Sequence, residues 1–475
     1  MTYNSSPELP VELRGTVLVA GAGVSGLGCV RMLSDLGVAV VVADDNDTAR
    51  LRIAEAFGTA HLSVSRARQQ LQDFSAVVTS PGWRPDSPLL VDASTAGLPV
   101  IGDVELAWRL DRAGVFGEPH TWVVVTGTNG KTTTTAMTTA MLQAGGLRAA
   151  SVGNIGVAVG DALAATERID ILVAELSSFQ LHWSDSLRPA VGALLNIAED
   201  HIDWHGSMLE YAAAKAKALL GHVAVVGVDD AYVVDQLDRL VAEGHLAETK
   251  VVGFTLNEPQ AGQIGISEGQ IVDRAFAEGL IIAPATGISP AGPAGQLDAL
   301  AATAMARACG VDAEEIAAGL SKFEVSGHRG QVVHTFRGAQ FVDNSKATNP
   351  HAAEAALSGL ESVIWVAGGQ LKGAEVHELV CKHAGNMKAA VLLGVDRQQF
   401  ADALREVRPS LPVYLIDATD PAEAMAAAVS QAGQHLTAGD VVLLAPAAAS
   451  LDMFSGMGQR GDMFAEAARA QFVEE

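Results

Sequence analysis

Residues 123–135 read VVVTGTNGKTTTT, and the rest of the chain can be placed around them. Trp122 to Val125 is a short apolar run rich in β-branched residues, the pattern of a buried strand. Gly127 and Gly130 then permit a tight turn with close backbone approach. Lys131 follows at once, and a helical pattern runs from Ala136 to Gln143. A strand, a glycine-rich turn and a helix start present converging backbone N–H groups. The unpaired amides and the helix dipole both favour an anion there, so the stretch predicts a phosphate loop. Lys131 would neutralise β- and γ-phosphates and Thr132 would hold Mg²⁺. The alternative is an ordinary strand-to-helix turn with a surface lysine. The loop is a short form, since Val125 stands where the general pattern has a glycine.

Upstream, Thr16 to Ala20 is a second apolar run, followed by Gly21-Ala-Gly23-Val-Ser-Gly26 and a helical pattern ending at Leu36-Gly37. Val38 to Val42 is the next predicted strand, and Asp44-Asp45 follows it. This βαβ unit with a GxGxxG turn reads as a dinucleotide site. A nicotinamide cofactor and a UDP pyrophosphate over Gly23 to Gly26 satisfy it equally well, and a turn without ligand stays open. Ala76 to Thr79 is a further strand with Ser80-Pro81-Gly82 as its turn, and Pro99 to Gly102 closes the first domain.

Downstream, Ser151 to Gly156 reads as a glycine-rich loop between elements. Ile171 to Ala174 is a strand with Glu175 at its tip. A carboxylate there, beside a phosphate loop, suits Mg²⁺, or caps the next helix. Residues 196–205, NIAEDHIDWH, pack carboxylates and two histidines together and could serve a second cation and the γ-phosphate; His205 alone reads as structural. Lys215, on a helix, reads as a solvated surface lysine. Val223 to Val228 and Val251 to Phe254 continue the α/β pattern, residues 257–295 are irregular, and Gln296 to Cys309 is a helix. A third unit begins near Ser326, with strands at Ala339 to Val342, Val363 to Ala367, Ala390 to Leu393, Val413 to Ile416 and Val441 to Leu444. Polar residues follow these strands, at the edge where open α/β sheets bind ligands.

Composition sets the outer limits. The 475 residues suggest two to four domains, and 49% apolar content suffices for several cores. A net charge of −24 without a basic patch argues against nucleic acid and anionic membranes, though not against an anionic small molecule. Cys29, Cys309 and Cys381 make no metal or disulfide pattern and suit a reducing compartment. The start MTYNSSPELP has no signal pattern, and no apolar run reaches spanning length, so a soluble cytoplasmic protein is expected.

Several of these stretches coincide with one family. TGTNGKT, GNIG, ELSSFQL, NIAEDHIDWH, YAAAK, SGHR, NSKATNP and APAAASLDMF occur in the order found in the Mur ligases, over nearly the whole chain. NSKATNP is the most discriminating and resembles the branch that adds D-glutamate. The resemblance implies an α/β protein of three domains: a Rossmann-like N-terminal domain (1–102) for a UDP sugar, a central P-loop ATPase-like domain (103–325) for ATP, and a C-terminal Rossmann-like domain (326–475) for the amino acid. It implies an ATP-dependent amide ligase joining UDP-MurNAc-L-Ala and D-Glu through an acyl phosphate. Charge and hydropathy add the expectation of no nucleic acid and no membrane insertion, and nothing demands more than a monomer.

The resemblance also implies residue roles. Gly127, Thr128, Asn129, Gly130, Lys131, Thr132 and Thr133, with Arg329 and Asp343 or Asn344, would hold ATP. Two Mg²⁺ ions would use Thr132, Glu175, His201 and Lys215, the last as a carbamate formed with CO2. Lys131, His201 and Lys215 would be catalytic, with His201 also receiving the incoming amine. Val24, Ser25, Asp44, Asp45, Ser80, Pro81 and Gly82 match sugar-nucleotide positions, and Asn154, Ser177 and Gln180 would line the same cleft nearer the acyl centre. Lys346, Thr348, Lys372, Ser450 and Leu451 would bind D-Glu, two lysines facing two carboxylates. Departures from the family pattern are Ala294, Gly295 and Asp298 in place of a His-Asn pair and a second Asn near adenine, DNSKATN for NDSKATN at Asp343-Asn344, Met457 for an aromatic, and Asn46 for an arginine. A dehydrogenase would leave the second phosphate loop without purpose. A folate-type ligase conflicts with the GxGxxG domain, and a nucleotide switch leaves the basic loops after Ser326 unused.

Overall fold

The computed structural model describes residues 8–324 and 327–473. Two compact units emerge: Met1–Ala285 with Asp298–Ser321, and Thr286–Leu297 with Lys322–Glu475. The predicted boundary at Ser326 and the start of the N-terminal stretch lie outside the described residues.

The first unit holds two sheets. One has five parallel strands in the spatial order Ala60–Leu62, Val40–Ala43, Val17–Ala20, Ala76–Thr79, Val100–Gly102. The strand Val17–Ala20 is central and wholly buried, and strand order reverses beside it. Its C-terminal end therefore opens at the crevice where doubly wound sheets bind ligands. Helix Val24–Asp35 starts there, and Gly26 is obligatory in it. A Cβ on Gly26 would lie 1.9 Å from the Gly21 carbonyl oxygen.

The second sheet runs Leu280–Pro284, Gln270–Asp273, Gln263–Ser267, Lys250–Phe254, Val223–Gly227, Val191–Leu194, Thr121–Thr126, Ile171–Glu175, Ala149–Gly153. It is parallel except for the hairpins at one edge. Those hairpins correct the expectation of irregular structure over 257–295. Glu268 (φ 49°) and Gly269 (φ 74°) form a two-residue turn with both residues left-handed, which matches strand twist. A glutamate in place of the usual Asn or Asp hides that signal. The loop predicted from Ser151 is a second correction: Ala149–Gly153 is the opposite edge strand, and Asn154 follows directly.

Helix Asp103–Arg112 belongs to both sheets. Leu106 and Leu110 complete the core of Val17, Val19, Val30, Leu33 and Val78. Val104, Ala107 and Trp108, on its other face, pack with Trp122, Val124, Leu172 and Leu181. Buried Glu105 ties this helix across the unit, accepting from Arg109 Nε at 2.8 Å and from the Ser186 N–H at 3.1 Å.

The second unit is a six-stranded sheet in the order Gln331–Phe336, Ala339–Asp343, Val441–Leu444, Val363–Gly368, Met387–Leu393, Val413–Leu415. All pairs are parallel except the first. Its two faces bury separate clusters, one around Trp365 and Phe400, the other around Phe341 and Phe464. Among the described residues no helix is long and apolar enough to cross a membrane.

Candidate active site

The strand Thr121–Thr126 delivers the phosphate loop between two neighbours, and the loop after Val191–Leu194 braces it. Asn196 Oδ1 accepts from the Asn129 N–H at 2.8 Å, and the Asn196 carbonyl from the Thr128 N–H at 2.9 Å. Thr128 Oγ1 accepts from the Ala198 N–H at 2.9 Å and lies 2.9 Å from the Tyr211 hydroxyl. Gly130 (φ 80°) turns the chain into helix Lys131–Ala144. That helix starts five residues earlier than the apolar pattern predicts, because its first turns bury threonines, Thr133, Thr134 and Thr135, rather than apolar side chains. Asp298 packs under this turn, accepting from Thr134 Oγ1 at 3.1 Å, so the residue that departs from the family asparagine here fixes the loop.

Lys131 Nζ donates to the Gly127 and Thr128 carbonyls at 2.9 and 2.7 Å. Lys215 Nζ donates to the same Gly127 oxygen at 2.7 Å. Lys215 is 2% exposed, which overturns the surface reading of this lysine. Its helix Met208–Ala216 puts Tyr211 one turn earlier on the same face, with the ammonium 4.8 Å from the ring centroid. Burial, and then the Lys131 charge, push the Lys215 amine well below its ordinary range, against the pull of Asp200 and Glu175. Glu175 is buried at the strand tip. Its Oε1 accepts from Asn154 Nδ2 at 3.0 Å, while Oε2 has no hydrogen-bond partner. The helix-cap alternative for Glu175 is not realised, because Ser177 caps the helix Ser178–His182 in a reciprocal pair with Gln180.

A cavity of about 710 Å³ runs from Gly21, Val24, Ser25, Asp44, Ser80, Pro81 and Gly82, past Asn154, Ser177 and Gln180, to Thr128, Lys131, His201 and Lys215. Its length joins the two predicted anion sites in one cleft of the first unit. Asp44 accepts from the Ala22 N–H at 2.7 Å and so shapes the glycine turn. Ser80 Oγ is buried without a partner. Asp45 accepts from the Val64 N–H at 3.0 Å and is not among the residues lining the cavity. Gly127, Asn129, Gly130, Thr132, Thr133 and Glu175 are not among the residues that line it, though Asn129, Gly130 and Thr132 are partly exposed. His201 sits in a left-handed conformation (φ 54°), its ring 4.7 Å from Phe179 and Nε2 3.5 Å from Asp200. His205 is structural as expected. It is buried, bonds Ser178 Oγ at 2.9 Å, and is pushed by burial to a pKa of about 4.

Asp103 lines the same cavity and was missed by the motif reading. Burial raises its pKa against hydrogen bonds that lower it, those from Ser25 and Gln180 among them. An acidic residue directly after Gly102, with no motif around it, gave no sequence signal.

In the second unit, Asp343 is buried. Its Oδ2 lies 2.6 Å from His328 Nδ1, and its Oδ1 accepts from the Ser345 N–H at 2.9 Å. Asn344 is half-buried, in keeping with opposite faces for the two side chains. Three loops carry the predicted amino-acid residues: Lys346 and Thr348 after Ala339–Asp343, Lys372 after Val363–Gly368, and Ser450 and Leu451 after Val441–Leu444. Backbone pairs join them. The Ala447 N–H donates to the Ala347 carbonyl at 2.9 Å, and Gln370 and Ala449 exchange two bonds of 2.9 Å. Arg329, Lys346 and Thr348 are half-buried, Lys372 is exposed at φ 54°, Ser450 is buried and Leu451 is 69% exposed.

Family models match consecutive parts of the chain: a MurD-like N-terminal domain of Mur ligases over 15–102, the Mur ligase middle domain over 125–272, and the Mur ligase glutamate ligase domain over 328–448. A relative from Corynebacterium efficiens, called UDP-N-acetylmuramoylalanine–D-glutamate ligase, is 59% identical over 97% of this chain and 95% of its own. The chain belongs to the Mur ligase family. A protein of the same name from Mycolicibacterium smegmatis is 47% identical over 97% of this chain and 98% of its own. Among solved structures, the UDP-N-acetylmuramate–alanine ligase of Thermotoga maritima shares the fold with a TM-score of 0.54 at 16% identity, covering 96% of this chain and 99% of its own. Members of the family are ATP-dependent amide ligases of peptidoglycan precursor synthesis, and this chain is one of them.

Proposed function

We propose that the enzyme joins D-glutamate to UDP-N-acetylmuramoyl-L-alanine, the reaction named for its curated relatives. The observation that carries the chemistry is the pair of lysines on one carbonyl: Lys131 and buried Lys215 both donate to Gly127 O, beside the unpaired Glu175 Oε2.

The substrate carboxylate and the ATP γ-phosphate are both anions, so their approach needs concentrated positive charge. Lys131 supplies one cation. A carboxylate oxygen attacks the γ-phosphorus and ADP leaves, giving the acyl phosphate. The D-glutamate amine attacks the acyl carbon, loses a proton, and phosphate leaves with its electron pair. His201, which lines the same cavity, is assigned to the incoming amine.

Mg²⁺ would supply charge neutralisation between the phosphates. Among the described residues no three His, Cys, Asp or Glu side chains converge on a metal site. Mg²⁺ suits that arrangement, since it takes one or two protein ligands plus phosphate oxygens and water. Thr132 and Glu175 would hold one ion, and the unpaired Glu175 oxygen fits that role. A neutral amine is what adds to CO2, so the lowered Lys215 pKa favours a carbamate there. That carbamate and His201 would hold the second ion.

Val24, Ser25, Asp44, Ser80, Pro81 and Gly82 are assigned to the sugar nucleotide, and Asn154, Ser177 and Gln180 to its acyl end. Arg329 and Asp343 or Asn344 are assigned to ATP, and Lys346, Thr348, Lys372, Ser450 and Leu451 to D-glutamate. The reading carries with it the domain limits 1–102, 103–325 and 326–475, a cytoplasmic location and a monomeric state.

The test is phosphate release with MgATP and UDP-MurNAc-L-Ala, scanned over D-Glu, L-Glu, meso-diaminopimelate and L-Ala. Release with D-Glu only, and a product of matching mass, is expected. Release with another amine instead would move the enzyme to a sister specificity.

A further inference from the structure

Arg460 lies in the first turn of helix Met457–Gln471, 1% exposed. Among the described residues no carboxylate lies within ion-pairing distance of it; Asp452 and Asp343 act on it only from further away. Burial lowers its pKa to about 10. A buried cation at a helix N-terminus opposes both desolvation and the helix dipole. An apolar side chain would fill the site at lower cost, so the guanidinium must do something geometric.

Its donors fan out to neutral acceptors on the amino-acid loops. Nε donates to Ser345 Oγ at 3.0 Å and Nη2 to the Ser345 carbonyl at 2.8 Å. Nη1 donates to the Ala448 carbonyl at 3.1 Å and, at the long limit of 3.5 Å, to Gly368 O. Ser345 precedes Lys346, Ala448 stands two residues before Ser450, and Gly368 opens the loop that carries Lys372. Ser345 Oγ in turn donates to the Met457 carbonyl at 2.8 Å, which closes the ring onto the helix. The next residue continues the contact. A Cβ on Gly461 would lie 2.1 Å from His328 Nδ1 and 2.5 Å from Asp343 Oδ2, so glycine alone lets the His328–Asp343 pair sit against the helix.

We propose that Arg460 is a positioning residue for amino-acid binding: its buried, planar guanidinium holds the three loops bearing Lys346, Thr348, Lys372 and Ser450 in one register. The inference rests on the assignment of those residues to D-glutamate. Arginine is needed because five donors in a fixed fork reach carbonyls on different loops, whereas a lysine ammonium is a single point. The two substrate carboxylates require the two lysines at a fixed separation, and loops set loosely by even 1 Å lose that match.

The test compares steady-state constants of Arg460→Lys and Arg460→Gln with those of Lys346→Ala. The expected result for Arg460→Lys is a D-glutamate KM raised about tenfold or more, with the sugar-nucleotide KM within about twofold, because that ligand's residues lie in the first unit. Arg460→Gln should be worse in the same constant. An unchanged D-glutamate KM in folded Arg460 variants, while Lys346→Ala raises it, overturns the positioning role and leaves the amino-acid site standing. If Lys346→Ala also leaves that KM unchanged, the amino-acid assignment fails and the inference with it. A parallel rise in both KM values marks a merely structural arginine and likewise overturns it. Should both variants fail to fold, Ser345→Ala, which removes one acceptor, decides: an unchanged D-glutamate KM then refutes the proposal.

Discussion

Replacing Lys215 with alanine separates its chemistry from its packing. The change deletes three methylenes from a side chain that is 2% exposed, costing about 2–3 kcal/mol at ~0.8 kcal/mol each. Gly127 O is not orphaned, because Lys131 Nζ still donates to it at 2.9 Å. Against the loss stands relief of a buried ammonium beside Lys131, which acts in the opposite direction. The net effect on stability is within about 2 kcal/mol, a melting shift of under about 8 °C for a unit this large. Activity should respond on another scale. If Lys215 acts as a carbamate, the variant loses a negative charge at the phosphate site, and kcat should fall by about 10³ or more. Formate, acetate or propionate should enter the space left by the stem and return about tenfold of that loss. Full recovery is not expected, because an untethered carboxylate lacks the effective concentration of a tethered one. The assay is phosphate release at constant ionic strength, with acetamide as the neutral control of similar size. A folded variant that keeps half its activity, or equal rescue by acetamide, would refute the carbamate.

Gly26→Ala should lower the melting temperature, since overpacking costs about 1–3 kcal/mol, and should raise the sugar-nucleotide KM, because the new Cβ meets Gly21 O at 1.9 Å. Unchanged values of both would show that the turn tolerates a shift of the helix. His205 is held near a pKa of 4 in the fold against 6.5 when unfolded, so the unfolded chain binds more protons between those values. Stability is therefore full above pH 6.5 and lost as pH falls towards 4, by on the order of 3 kcal/mol at most. Melting curves against pH should show a shallower acid limb in His205→Gln; superimposable limbs would remove His205 from the acid response.

Much of this was legible in the chain. Runs of β-branched residues such as Val17–Ala20 and Val363–Ala367 announced the buried parallel strands, because both faces of such strands are apolar. The glycine-lysine loop announced itself through spacing. What escaped has a common cause: its signal lies in tertiary contact. Ala149–Gly153 carries too few β-branched residues to read as a strand until it pairs with Ile171–Glu175. Lys215 follows Tyr211 at helical spacing, yet nothing local says that this face is the buried one. Arg460 stands near Gly456, Gly458 and Gly461 with no motif around it, and its acceptors are 12 to 115 positions away in sequence.

The helix Asp103–Arg112 has a consequence for how this chain can be cut and grafted. Its two faces complete two different cores, so the polypeptide has no clean seam after Gly102. A fragment ending there would expose the space filled by Leu106 and Leu110. A fragment beginning there would carry those two leucines into water. Exchanging the N-terminal sheet between relatives would succeed only if the transplant carries this helix, and then only if the helix still fits Trp122 and Leu172 of the recipient. The N-terminal sheet is, in this sense, not a detachable module but inherited together with the sheet that carries the glycine-lysine loop.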